Sequence, residues 1–376
     1  MSAPFRSFWM AGFESACHIN GARCRLDMIQ ATQHDAQVAD DYARLRALGL
    51  LVAREGARWH LIERTPRRYE FGSLRPFLEA AAREGIQVVW NLFHYGWPDD
   101  LDIFAPAFVD RFAAFARAVA RVVADHSDDV PLYAPVNEIS FVAWAGGEKA
   151  YFHPFCRGRG GELKRQLVRA AVAATEAVWD VDRRARMVHT DPLIRVIAPR
   201  DRPDLAEAAA AETEAQHEAR DMLAGRSHPE LGGRPAYLDI IGLNYYHANQ
   251  WEYPDRRLRW EDDPRDQRWA PLSALLAAVA RRYGRPMILS ETSHFGSGRA
   301  RWIREIAAEA RRALDAGTPL EGVCIYPVLD RPDWDDPYHW HHSGLWDVRR
   351  ESGGRLERLL NPEYAGALAD ARRLVG

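Results

Sequence analysis

Two glutamates at the ends of apolar runs carry the strongest chemical signal in this chain. Glu138 closes PLYAPVNE (131–138), and Glu291 lies near the end of PMILSET (286–292). A pair of carboxyl groups converging on one point suits glycosidic bond cleavage. One, protonated, donates to the leaving oxygen; the other, ionised, faces an oxocarbenium-like centre. The acid needs a pKa raised by burial or by its partner's charge, and the nucleophile needs a cation and donors beside it. Arg54, Asn137, Tyr245 and Tyr246 are residues of the right type for that support. Polar residues interrupt other apolar runs in the same way: Arg54, Asn91 and His94, Asn137, Asn244, and Asp330. Any one alone reads as a turn former, a cap or a satisfied structural histidine. Their recurrence at run ends is what sets them apart.

These residues need elements to bring them together. Short apolar runs at 8–16, 51–59, 86–94, 131–138, 186–191, 238–246, 286–292 and 322–330 predict strands. Helical periodicity fills 34–48, 73–84, 106–126, 162–182, 203–225, 271–283, 299–316 and 361–374. Gly49, Gly85 and Gly317 each stand between a helix and the next strand, where a C-terminal stop is expected. Strict alternation of strand and helix implies parallel strands with right-handed crossovers, hence an α/β (β/α)₈ TIM barrel formed by residues 1–376 as one domain. A doubly wound open sheet is the competitor, but the segment after the first strand lacks the Gly-rich phosphate loop such folds carry. In a barrel, chemistry belongs at the C-terminal ends of the strands.

Composition excludes other classes. With 50 basic and 53 acidic residues and a net charge of −3, nucleic acid and anionic membrane are not expected partners. No stretch approaches a transmembrane helix, and no cationic start precedes an apolar run, so a cytoplasmic protein is expected. Cys17, Cys24, Cys156 and Cys324 show no metal-ligand spacing and read as reduced, buried thiols. No cofactor and no metal are expected, and the oligomeric state is left open. The chain holds 13 Trp, several of them in expected loops: Trp97, Trp144, Trp251, Trp260, Trp334, Trp340 and Trp346. Most of these read as loop packing. Trp334 and Trp340 lie in RPDWDDPYHWHHSGLW, a mixture of flat apolar rings and polar donors that suits sugar faces and hydroxyls.

The same segments resemble the family 1 glycoside hydrolases, the β-glucosidase-like members of a large clan of retaining (β/α)₈ glycosidases. FWMAGFESACHING resembles the family's first strand, NLFHYGWPDDL its third-strand His-Trp region, APVNEIS its Asn-Glu-Pro acid/base motif, LDIIGLNYYHAN its sixth strand and ILSETSHFG its nucleophile strand. VCIYPVLDRPDWDDPYHWHHSGLWDV resembles the eighth strand and sugar-binding loop. The resemblance implies Glu138 as acid/base and Glu291 as nucleophile. It implies that Arg54 and Tyr246 hold the nucleophile, and that Asn137 and His94 bind hydroxyls. His18, Asn244, Tyr326, Asp333 and Trp334 complete the implied substrate-binding set. The chain departs from the family pattern in several places: His18 stands for a Gln, Val136 after Pro135 stands two before the acid/base, Ile139 stands for the Pro after it, Thr292-Ser293 for Asn-Gly, and Tyr326 for a Trp.

A retaining exo-β-glycosidase acting on a neutral terminal sugar is therefore expected, its pocket walled by residues 330–346 and 247–270. A phosphorylated sugar would call for basic residues in the eighth loop, which holds Asp330, Asp333, Asp335 and Asp336 against Arg331. Three alternatives remain: a catalytically silent carbohydrate-binding barrel, a glycosidase of another family in the clan, and a metal-dependent hydrolase using His18, His94, His189 and Asp191.

Overall fold

The helix 106–124 shows why this chain folds as it does. Phe108, Phe112, Phe115, Val119 and Val123 recur on one face and are buried against the strands, with Pro106 in the tolerated first turn. Repeated eight times, that arrangement gives a closed barrel in the computed structural model, which describes residues 4–376. Its strands are β1 Trp9–Gly12, β2 Val52–Gly56, β3 Gln87–Asn91, β4 Leu132–Ala134, β5 Arg186–Pro192, β6 Ile240–Asn244, β7 Met287–Thr292 and β8 Leu320–Ile325. Each pairs in parallel with its neighbours, and β8 closes against β1.

Seven crossover helices follow their strands in turn: α1 His34–Ala47, α2 Arg75–Glu84, α3 Pro106–Ala124, α4 Gly160–Trp179, α5 Ala206–Ala215, α6 Leu272–Tyr283 and α7 Gly298–Asp315. The last, α8 Pro362–Leu374, packs beside α7. Every expected strand and helix is present, and most strands end earlier than the apolar runs do; β5 and β7 do not. The expected helix 203–225 is the one clear departure. It breaks after Ala215 and resumes at Glu218–Leu223. At the break, the Gln216 side chain bonds both backbone groups of Ile194. Two small sheets went unanticipated: the hairpin Trp346–Arg350/Leu356–Leu360, and a three-stranded sheet of Arg195–Ile197, Gln250–Glu252 and Arg256–Arg257.

Inside the barrel, side chains form layers with the two-residue period of a strand. Met10, Val52, Val89, Leu132, Val188, Ile240, Ile288 and Cys324 make an apolar plug. Two residues further along each strand stand Gly12, Arg54, Asn91, Ala134, Thr190, Gly242, Ser290 and Tyr326, so the next layer is mostly polar. Gly12 is required there. A Cβ at that position would lie 2.1 Å from the Tyr326 ring. Cys17 and Cys324 are buried as expected, whereas Cys24 is exposed and Cys156 half-buried. Among the described residues, no helix is long and apolar enough to cross a membrane.

Candidate active site

Two local irregularities aim the glutamates at the barrel axis. In β7, Leu289 pairs with Leu243 but Glu291 pairs with Asn244, so Ser290 is an extra residue. The bulge lets Ser290 and Glu291 both reach inward, which a regular pleat forbids. After β4, Glu138 takes the left-handed backbone at φ 52°. Its bonding neighbour Tyr95 is left-handed too, at φ 69°. Such conformations cost roughly 1–3 kcal/mol each in non-glycine residues and cluster where function holds them. A short helix, Ile139–Val142, and a turn of π-helix through Glu148 follow Glu138.

Both carboxyl groups are buried but differently held. Arg54 donates to Glu291 Oε1 at 3.1 Å and Tyr246 OH donates to Oε2 at 2.8 Å. Glu138 meets only neutral donors: Asn244 Nδ2 at 2.9 Å on Oε1, and the Tyr95 hydroxyl on Oε2. Burial, then the charge of Glu291, lifts Glu138 to about 8. Burial lifts Glu291 as well, but the Arg54 guanidinium opposes it and Tyr246 stabilises its anion. The arrangement therefore favours a protonated Glu138 facing an ionised Glu291.

The polar layer below locks this pair in place. Arg54 Nη2 donates to Asn91 and Asn137, each at 3.1 Å, and Nη1 to the Ser290 carbonyl at 2.6 Å. Asn137 also accepts from Thr190 at 2.7 Å and donates toward His94 Nε2 at 3.1 Å and Tyr95 OH at 3.0 Å. With Nε2 accepting, His94 carries its proton on Nδ1 and donates to Ser15 Oγ at 2.8 Å. Burial, followed by Arg54, keeps its ring neutral. Asn244 spans Glu138 and Ser290, accepting from Ser290 Oγ at 2.6 Å.

His18 and Trp334 stand edge to face, ring centroids 4.7 Å apart. His18 Nδ1 and Trp334 Nε1 are buried and without partners. Burial, then Arg25 and Arg331, lowers His18 to about 3, so it too is neutral. Tyr326 lies beneath Arg54 and bonds Glu14 Oε1 at 3.3 Å. Asp333 is placed differently. Its Oδ1 accepts from the Asp335 and Asp336 amides at 2.8 and 3.2 Å, and its Oδ2 meets His341 Nε2 at 2.9 Å, so both oxygens secure the loop.

Glu14, Ser15 and Tyr95 were missed from the sequence. Glu14 Oε2 lies 3.2 Å from Arg331 Nε, and Oε1 is 3.9 Å from His94 Nε2. The two-residue period that places Gly12 above Met10 points on to Glu14, and Tyr95 simply follows His94. The loop tryptophans divide as well: Trp97, Trp260 and Trp346 are buried packing, whereas Trp144 is exposed in the turn that follows the Glu138 segment.

His18, His94, His189 and Asp191 do not converge on a common point. Asp191 accepts from the Ser140 amide and hydroxyl at 3.0 and 2.6 Å, and among the described residues these four enter no metal-ligand grouping. Two surface clefts, one around Gln87 and Pro131 and the other around Leu238 and Arg285, lie at the N-terminal ends of strands, the stability face of a barrel.

The fold and site thus define a closed (β/α)₈ barrel with an unequally held carboxylate pair at the C-terminal mouth. No family model and no curated protein matches the chain. Solved structures match it from end to end. A family 1 β-glucosidase from Thermotoga maritima aligns at TM-score 0.76 and 16% identity over 100% of this chain and 99% of its own. A β-glucosidase of the same organism in complex with noeuromycin aligns at TM-score 0.76 and 16% identity over 99% and 98%. The AHE enzyme from Alicyclobacillus herbarius aligns at TM-score 0.75 and 18% identity over 98% and 99%. At these identities the likeness is one of fold.

Proposed function

We propose that this protein is a retaining exo-β-glycosidase that removes a terminal neutral sugar through a covalent glycosyl-enzyme. The observation that carries the reading is the unequal environment of two buried carboxyl groups: Arg54 and Tyr246 on Glu291, neutral donors alone on Glu138. Glu291 attacks the anomeric carbon while Glu138 gives its proton to the leaving oxygen. Glu138, now ionised, takes a proton from the water that releases the sugar. Asn137 and Asn244 position the pair through their bonds to Arg54 and Glu138.

The unpartnered His18 Nδ1 and Trp334 Nε1 are the groups best placed to meet hydroxyls, since buried polar atoms are costly when left unpaired. A neutral sugar fits because Arg331, the one basic residue of the eighth loop near the pocket, already faces Glu14. The leaving group would rest against the rim aromatics Trp144 and Tyr151, both exposed. The fold shared with β-glucosidases agrees with this reading.

Proton NMR of the first-formed anomer from an aryl β-glycoside tests it: a β product is expected, and an α product refutes retention. Azide provides an independent arm. With E138A it should return a β-glycosyl azide, and with E291A an α-azide from the opposite face. Saturable sugar binding with no turnover across a panel of aryl glycosides would instead leave a silent carbohydrate-binding barrel.

A further inference from the structure

Behind the nucleophile lies a second cluster that the proposed reaction does not use. His247 follows Tyr246 at the end of β6, and His294 lies in the loop after β7, beyond Glu291. Glu261 reaches them from the excursion between β6 and α6. Glu261 Oε1 is 3.2 Å from His294 Nε2 and 3.8 Å from His247 Nε2, and one ligand atom from each residue falls within 4.8 Å of the others. The two imidazole centroids are 4.1 Å apart. A tetrahedral zinc-class ion with bonds of about 2.0–2.1 Å separates its ligands by about 3.3 Å, close to these spacings.

We propose that His247, His294 and Glu261 bind a divalent transition-metal ion of zinc's class, leaving a fourth position for water. The orphaned imidazole of His247 points to a ligand. Both ring nitrogens of His247 lack a hydrogen-bond partner although the side chain is 8% exposed. The Ser293 carbonyl adjoins this ring, but not in good hydrogen-bond geometry. His294 Nδ1 is taken up by its own backbone, accepting from the Phe295 amide at 2.8 Å, so Nε2 is the nitrogen that faces Glu261 and would give up its proton to bind an ion. Gly298 leaves room for that ring, since a Cβ there would lie 2.3 Å from His294 Nδ1.

Trp260 and Trp302 wall the cluster, with Trp260 5.0 Å from His294 and Trp302 6.2 Å from His247. Arg257, 40% exposed, lies 3.6 Å from Glu261 and donates to the His247 carbonyl at 3.4 Å, so a bound cation would have to displace it toward solvent. Two imidazoles and one carboxylate match the donor set that zinc-class ions favour over calcium or magnesium. The ion would tie together the strand ends that carry Tyr246 and Glu291. The site stands on its own residues and does not require the glycosidase reading.

The test uses full-length protein freed of metal by chelator dialysis. Titrated with cobalt(II), it should develop visible bands of a low-coordinate site at one equivalent per chain. Zinc should displace the cobalt and raise Tm. H247Q and H294Q should each weaken zinc binding at least about 10-fold, while H342Q, in the separate Asp330–His342–Asp347 group, should leave it unchanged. If either histidine variant fails to fold by circular dichroism, E261Q replaces it, its parent side chain being 30% exposed. Absence of cobalt bands, a zinc-dependent Tm shift that survives in H247Q/H294Q, or loss of binding in H342Q instead would overturn the proposal.

Discussion

Two buried polar clusters in this barrel look alike by burial and differ in charge balance. Behind β2, His34 bridges Asp41 and Glu55, each at 2.9 Å, while Arg358 binds Asp41 and Tyr42 donates to Glu55. With Arg44 3.3 Å from Asp41, the two carboxylates there face three cationic partners, and His34 is raised to about 9 by Glu55 and Asp41 against the cost of its burial. At the mouth, Glu14, Glu138 and Glu291 share Arg54 and Arg331, and Glu138 has no cation of its own. A balanced cluster holds its groups in one protonation state and supports the fold. An unbalanced one forces a carboxyl group to keep its proton, which is what an acid catalyst requires. Burial of charge is common to both clusters; a surplus of negative charge is confined to the one at the mouth.

Substitutions should separate the two clusters by which property fails. E291A should lower turnover by at least about 10⁴-fold on every glycoside, because no glycosyl-enzyme can form. E138A should lose about 10²–10⁴-fold on poor leaving groups. On a dinitrophenyl glycoside its first step should survive and its second should stall, visible as a burst. Near-parental rates in both variants would remove these residues from the mechanism. E138A should change Tm little, since it removes a neutral carboxyl group, whereas E291A should lower Tm because the buried Arg54 loses its anion. D41N should spare turnover instead. Breaking the buried network by removing one partner should cost about 3–5 kcal/mol in urea unfolding while kcat per folded molecule holds.

The pH dependences should diverge in the same way. Glu138 must be protonated to act, so kcat/KM should fall as pH rises through about 8. His34 is raised above its ordinary 6.5, so its stabilisation is complete below that pH and fades as pH climbs through about 9. Activity should therefore be lost before stability, and coincident losses would mean that unfolding sets the alkaline limb. In E291Q, carbon-13 NMR should find Glu138 titrating lower than in the parent, because its charged neighbour is gone. The smallest effect is expected from Y95F. Loss of the Tyr95 hydrogen bond to ionised Glu138 should move the alkaline limb up by of order one unit, leaving Tm nearly unchanged. A downward shift would show that Tyr95 instead accepts from the protonated acid.

Periodicity alone located the eight strands and eight helices, because each must bury one face and the strand and helix repeats differ. The same local pattern marked Arg54, Asn137, Glu138, Asn244 and Glu291 as polar residues breaking into apolar runs. Residue type could not show that both glutamates turn inward; the extra residue Ser290 and the left-handed backbone of Glu138 do that. Nor could it show that Asp333 spends both oxygens on its own loop while Glu14 meets Tyr326 and Arg331. The unequal surroundings of the two carboxyl groups, and the meeting of His247, Glu261 and His294, arise between segments far apart in the chain. Sequence determines which groups a strand end can offer. Only barrel closure sets the distances between them, and electrostatic interactions depend on distance and on exclusion of water.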